Sequence, residues 1–152
     1  MNRRLPSFLA NRASRLIKSP KLYVTDSGLG SYFAGVDASR LKTGDSMFGA
    51  LLETYIAQNL AAILESDWPE ARLGYWHVQG RHEVDFVIES GRDSLAVEIK
   101  AAAQWKNRDF AGLRAFLDKT PRCRAALLAY GGTEIVKLGD RLWAVPLAAL
   151  IQ

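Results

Sequence analysis

Asp85, Glu98 and Lys100 have the types and the spacing for chemistry at a divalent cation. Glu98 and Lys100 stand two apart in AVEIK, so a strand there sets them side by side on the face opposite Val97 and Ile99. Asp85, in EVDFVIE, lies thirteen positions before Glu98, a separation that a turn between adjacent strands can fold back. Two carboxylates at close quarters suit a cation that prefers hard oxygen ligands, and a neighbouring lysine can polarise a nucleophilic water or offset phosphate charge.

The elements that must hold these residues are strands. From Tyr75 to Lys100 the chain reads as two or three of them, with Val84, Phe86 and Ile88 alternating against Glu83, Asp85 and Glu89. Ser90 to Asp93 make a turn, and Leu95 to Ala101 a second strand with Val97 and Ile99 on its apolar face. Before them lies the longest predicted helix, roughly Met47 to Glu65, which Asp45 or Ser46 can cap. Phe48, Leu51, Leu52, Tyr55, Ile56, Asn59, Leu60 and Ile63 fall at helical spacing as its buried stripe. Glu53 projects from the shoulder of that stripe, on the same side as Leu60, and so borders the core.

Elsewhere the pattern is coarser. Lys21 to Thr25 is a short strand candidate, with Asp26 or Ser27 capping a short helix over 28–33 and a loop over 36–44. A second helix is predicted from Asp109 to Asp118, with Phe110, Leu113, Phe116 and Leu117 inward. Cys123 to Tyr130 is nearly all apolar, which suits a strand covered on both faces. Glu134 to Leu138 and Arg141 to Val145 are strand candidates, and Pro146 can start a closing helix. This order implies an α/β sheet with helical cover.

With 152 residues, 49% of them hydrophobic, the chain suffices for one well-packed domain and is short for two. No run reads as a membrane span and no leader pattern appears, so a cytoplasmic domain is expected. The single cysteine, Cys123, has no internal disulfide partner, and its apolar surroundings do not suit a nucleophile. His77 and His82 lack the further ligands that a zinc site needs. Residues 1–21 carry six basic residues and no acid, against fourteen basic and sixteen acidic in the rest. The basic character therefore belongs to a connecting arm over 1–20, with the main domain over 21–152. The arm's Leu5, Phe8, Leu9, Leu16 and Ile17 call for something to pack on. Such an arm can meet nucleic acid, though a solvated linker is as common. Trp68, Trp76, Trp105 and Trp143 are expected in the core or at an interface more than as a stacking platform for bases.

The Asp, then Glu-x-Lys pattern resembles the signature of the PD-(D/E)XK phosphodiesterase superfamily. RLIKSPKLYVTDSGLGSYFAG, FGALLETYIAQNL, YWHVQGRHEVDFVIE, LAVEIKAAAQW and LWAVPLAAL, in that order, resemble the nuclease-like domain at the C-terminus of many prokaryotic AAA-type ATPases. The resemblance implies a PD-(D/E)XK core, a mixed sheet flanked by helices, with Glu53, Asp85, Glu98 and Lys100 at the active-site positions. It implies Mg²⁺ or Mn²⁺ on Asp85 and Glu98, with Glu53 binding metal or water and the Ile99 carbonyl as a further ligand. Lys100 would orient the attacking water in phosphodiester hydrolysis on nucleic acid. The implied partner is an ATPase module, which this chain does not supply, since no G-x-x-x-x-G-K run is present. The chain is expected to be either the C-terminal piece of such an ATPase or a stand-alone product. The alternative is a non-catalytic interaction or DNA-binding domain that serves the ATPase.

Overall fold

A computed structural model describes residues 2–8, 20–24, 42, 44–78 and 81–151, together with the single positions 28, 32 and 35. A two-stranded antiparallel sheet joins β1 (Asn2–Leu5) and β2 (Lys21–Val24). Helix α1 (Ser46–Asp67) leads into β3 (Arg72–Val78), β4 (His82–Ser90) and β5 (Asp93–Lys100). A 3₁₀ turn (Asn107–Phe110) and α2 (Ala111–Lys119) follow, then β6 (Cys123–Tyr130), β7 (Val136–Gly139), β8 (Leu142–Pro146) and α3 (Leu147–Leu150). The domain is thus mixed α/β, around a six-stranded sheet of order β3-β4-β5-β6-β8-β7.

Local chemistry accounts for the connections. β4 and β5 form the expected antiparallel hairpin, and Gly91 at its turn takes a φ of 61°, where a Cβ would be strained. β5 and β6 run parallel, which no tight turn allows, so the 3₁₀ turn and α2 make the crossover. Its start is earlier than expected, because the Asp109 carboxylate accepts the Lys106 N–H at 2.7 Å and closes a turn ahead of the helix. β6 is parallel to β8 also, while β7 lies antiparallel at the outer edge.

Each face of the sheet has its own core. On one, Phe110, Leu113 and Phe116 pack on Trp76, Val84, Val87, Ala96 and Leu128. On the other, Ile56, Ala57 and Leu60 of α1 and Leu5 and Tyr23 of the small sheet pack on Tyr75, Phe86, Val97 and Ala129. Helix α1 is rotated from the expected stripe: Ile56, Ala57, Leu60, Ala61 and Leu64 are buried, while Tyr55 is 44% exposed. The two alanines add little bulk, so the helix backbone can come close to the sheet there. At 22 residues and a best-window hydropathy of 1.3, α1 is long and apolar enough for a membrane span by length and composition alone, which corrects the expectation that no run is. A core helix passes the same test, and this one packs its buried side on the sheet.

Part of the expected arm is woven into the domain. Beyond β1, the Tyr75 N–H donates to the Pro6 carbonyl at 3.1 Å and the Phe8 N–H donates to the Tyr75 carbonyl, covering the outer edge of β3. The approach is close enough that a Cβ on Gly74 would stand 2.7 Å from the Pro6 oxygen. Leu5 and Phe8 pack as the sequence suggested; Leu9, Leu16 and Ile17, with the caps at Asp26 and Ser27 and most of the 28–33 helix and the 36–44 loop, lie outside the described residues. Arg3 also pairs with Glu65 at 2.8 Å, but exposed pairs contribute only about 0.2–1 kcal/mol. Burial of the Leu5 side chain, worth roughly 1.5–3 kcal/mol, matters more. Leu5→Ala should accordingly lower the unfolding free energy by about 2–5 kcal/mol, whereas Leu22→Ala, 62% exposed on the neighbouring strand, should change it by less than about 0.5 kcal/mol. Denaturant titration of both variants checks it, and equal losses would mean that residues 2–5 are not part of the core.

Candidate functional site

β4 does not keep the simple alternation of its sequence. Its register with β3 shifts by one residue between Gly74↔Val87 and Trp76↔Val84, so Asp85 and Phe86 together oppose Tyr75 in a β-bulge. Val84 and Val87 belong to the α2-side core and Phe86 to the α1-side core. The bulge thus sets Asp85 beside Phe86, among residues of the α1 layer, instead of on the opposite face. β4 and β5 pair only as far as Phe86↔Val97. Beyond that pair the strands part, and two carboxylates fill the opening. Asp85 Oδ2 accepts the Ile99 N–H at 2.9 Å, and the Glu98 carboxylate accepts the Asp85 N–H.

Around this pair the α1 side supplies the rest. Glu53, Ala57, Leu60 and Leu64 fall at i, i+4, i+7 and i+11 on α1, so Glu53 continues the buried line toward the sheet end. Its Oε2 lies 3.4 Å from the Tyr23 hydroxyl, which donates to it. Lys21, two residues before Tyr23 on the same strand face, pairs with Glu83 and comes within 3.8 Å of Asp85 Oδ1, with its ammonium 5.4 Å from the Tyr75 ring centroid. The small sheet is fixed on α1 by Gln58 Nε2, which donates to the Val24 carbonyl at 2.8 Å.

The electrostatics follow from burial. Asp85 is only 7% exposed, and its carboxyl is pushed up to about 7 by burial and then by the Glu53 charge, against the Ile99 N–H and Lys21. Burial, and next the charge of Asp85, raise Glu98 to about 9, with the Asp85 N–H opposing. Glu53 is raised as well, by burial first and by Glu83, although Lys21 and the Tyr23 hydroxyl oppose the shift. Burial drives the Tyr23 phenol far up, and the Glu53 and Asp85 charges add to it. For Lys21, burial alone would lower the ammonium, but Glu83, Asp85 and Glu53 together outweigh it and the pKa ends above the ordinary value.

Of the four residues singled out from sequence, the structure brings Glu53, Asp85 and Glu98 into one electrostatic cluster. Lys100 is held elsewhere: its Nζ is 2.9 Å from Asp109 Oδ1, and its ion pair is with that residue, not with Asp85 or Glu98. The sequence assigns no site role to Lys21, Tyr23 or Glu83. The spacing of Lys21 and Tyr23 on one face of KLYV was the available signal. Trp76 is a core residue packed edge-on to Phe116, whereas Trp68 is 53% exposed. Cys123 is buried and its thiol is raised by burial, as an inert core cysteine would be.

Whether the acids suit a divalent cation can be judged from the donors. They are all hard oxygens, and Glu98 Oε2 is buried with no hydrogen-bond partner among the described residues, a deficit that a cation would satisfy. In the present arrangement the ammonium of Lys21 stands among them, and no group of three His, Cys, Asp or Glu side chains among the described residues is gathered as ligands would be. The donor chemistry fits the ion; its positive charge is here supplied by Lys21.

The raised carboxyls make a stability prediction. A group whose pKa is higher folded than unfolded contributes stability fully below its unfolded value, and loses it as pH rises through the folded value. The ordinary values are 3.8 for Asp and 4.5 for Glu, so the melting temperature should fall with rising pH from 3.8 to about 7 on account of Asp85 and from 4.5 to about 9 on account of Glu98, each contribution levelling off above its folded value. Asp85→Asn keeps an acceptor for the Ile99 N–H and cannot ionise, so it should melt higher than the native chain at pH 8 and flatten the profile. Melting curves from pH 5 to 9 that are parallel for the two would contradict the burial of this charge.

Comparison with known proteins gives a family but no function. The chain is 29% identical over 144 residues to "Uncharacterized protein Mb2031c" of Mycobacterium bovis and, to the same extent, to "Uncharacterized protein Rv2008c" of Mycobacterium tuberculosis. The match covers 95% of this chain and 31% of each relative, so the chain spans about a third of their length. No solved structure matches it. The family model for a domain of unknown function, DUF4143, matches residues 48–150, from the first turn of α1 to the end of α3, and takes in Glu53, Asp85, Glu98 and Lys100. The chain belongs to the DUF4143 family.

Proposed function

We propose that this domain is a nuclease-like module of the PD-(D/E)XK type, in which Asp85, Glu98 and Glu53 bind Mg²⁺ or Mn²⁺ to act on a phosphodiester of nucleic acid. The observation that carries this is the pair of carboxylates in the opening between β4 and β5, one of them with a buried oxygen that no described residue satisfies. Structural carboxylates are ordinarily fully paired. A protein that instead buries several acids together, and raises their pKa values, has the usual signature of a functional site. The bound ion would supply charge stabilisation at the phosphoryl oxygens. Asp85 and Glu98 would ligate it, with the Ile99 carbonyl as a further donor and Glu53 holding metal or water. The Ile99 N–H fixes Asp85, and Tyr23 orients Glu53. The partner we infer is an AAA-type ATPase module, for which the unmatched two thirds of the mycobacterial relatives leave room. The cytoplasm is the compartment that fits such a pairing.

One observation favours a second reading, a non-catalytic interaction or DNA-binding domain that serves the ATPase. Lys100 is tied to Asp109 and Lys21 is paired with the acids, an arrangement that a purely structural charge cluster would also have. Calorimetric titration with Mn²⁺ separates the two. On the first reading the native chain gives weak binding heat that diminishes from pH 8 to pH 5.5, as protons compete for the carboxylates, and Asp85→Ala and Glu98→Ala give much less. Without an ATPase to grip or present the substrate, cleavage by the isolated chain should be slow or absent. Equal heats in all three proteins would leave only the second reading.

A further inference from the structure

We propose that Lys21, rather than Lys100, is the lysine that serves the acidic site, as the ammonium that offsets the negative charge of a bound phosphodiester. This assignment rests on the reading of Asp85 and Glu98 as a cation site. It is carried by where the two lysines are. Lys21 Nζ pairs with Glu83 and lies 3.8 Å from Asp85 Oδ1, while Lys100 Nζ is 2.9 Å from Asp109 Oδ1. Asp109 is not free to release Lys100 cheaply, since its other oxygen accepts the Lys106 N–H at 2.7 Å and its carboxylate closes the 3₁₀ turn.

Lys21 has the accessibility that contact with a ligand needs. Its side chain is 27% exposed, packed along one side by Tyr75 yet open on another, whereas Asp85 beneath it is 9% exposed. A phosphate group that reached Asp85 from solvent would therefore meet the Lys21 ammonium on the way. The backbone that carries Lys21 is anchored on both sides: Leu5 pairs with it across the small sheet, and Gln58 of α1 holds Val24 three residues on. The ammonium is also a compact charge with three donors, so it can exchange a carboxylate for a phosphoryl oxygen without rebuilding its surroundings. In the cation-free protein it offsets the crowded acids. Once a divalent ion takes over that neutralisation, the same ammonium becomes available to an anion at the same spot.

The test uses the whole chain and the variants Lys21→Gln, Lys21→Arg and Lys100→Gln. Mn²⁺ binding is followed by calorimetry, and binding of a short fluorescent single-stranded oligonucleotide, with Mn²⁺ present, by anisotropy. Lys21→Gln should bind Mn²⁺ at least as tightly as the native chain, since the acids remain and the competing ammonium is gone, and should bind the oligonucleotide about tenfold or more weakly, the loss of one charge-assisted contact. Lys21→Arg should stay within about threefold of the native affinity, as retention of the charge predicts, and Lys100→Gln should match the native chain in both measurements. Native oligonucleotide affinity in Lys21→Gln, or a loss confined to Lys100→Gln, overturns this assignment and leaves the cation site standing. Absence of Mn²⁺ heat in the native chain overturns the cation site and the assignment with it. Should Lys21→Gln not melt cooperatively, the Lys100→Gln result decides alone: weakened oligonucleotide binding there overturns the proposal, and native binding supports it.

Discussion

Carboxylates removed from water repel one another, and the structure around Asp85 is arranged to contain that repulsion. Two like charges about 4 Å apart at a partly buried site cost on the order of 4 kcal/mol, comparable to burying a large apolar side chain. A cluster of Glu53, Glu83, Asp85 and Glu98 persists only if something answers it. The answers are specific: the Ile99 N–H for Asp85, the Asp85 N–H for Glu98, the Tyr23 hydroxyl for Glu53, and Lys21 for Glu83 and Asp85. Each of these donors is local to the sheet end except Lys21 and Tyr23. Those two come from β2, which the chain reaches some sixty residues earlier, so the small sheet is part of the site and not an appendage to it.

The Glu-x-Lys pair does not act together. Alternation along β5 puts Glu98 and Lys100 on one face, as the sequence indicates, yet the two side chains then diverge. Glu98 turns into the opening toward Asp85, and Lys100 reaches the 3₁₀ turn that begins the crossover. Asp109 is the reason. Its carboxyl is held below the ordinary value: burial works against the charge, but the Lys106 N–H and the Lys100 ammonium outweigh it, so it remains an anion that holds the lysine. The N-terminal turn of α2 sits against β4 so tightly that Gly112 has backbone of Glu83 where a Cβ would be, which fixes the 3₁₀ turn, and Asp109 with it, relative to the sheet end.

What could be read in advance was periodic, and what could not was relational. The hairpin at Gly91, the doubly covered strand from Cys123 to Tyr130 and the existence of α1 all follow from spacing of apolar residues and turn chemistry. The face that α1 buries did not, because Ala57 and Ala61 count for little on a hydropathy scale while their small size decides how close the helix can lie. The bulge at Asp85 and Phe86 is invisible in EVDFVIE, whose clean alternation predicts the opposite face for the aspartate; only pairing against Tyr75 reveals the extra residue. Asp85, Glu98 and Glu53 could be picked out because they stand on regular elements. Lys21 belongs to a four-residue strand whose importance comes from contacts far away in sequence, and a four-residue strand carries almost no periodic signal.

The covering of β3 by residues 6–8 has a consequence for colloidal behaviour. A six-stranded open sheet has two edges, and each is a row of unsatisfied backbone groups ready to pair with another chain. At the far edge, β7 is four residues long and carries Lys137, which makes it a poor template. The near edge, β3, is seven residues and bears Tyr75, Trp76 and Val78, the composition from which intermolecular sheets grow. The Pro6 carbonyl and the Phe8 N–H take up the backbone groups of Tyr75 at that edge. Residues 6–8 therefore act as a guard against self-association at this edge, and a chain that lost them would present a long aromatic strand to its neighbours.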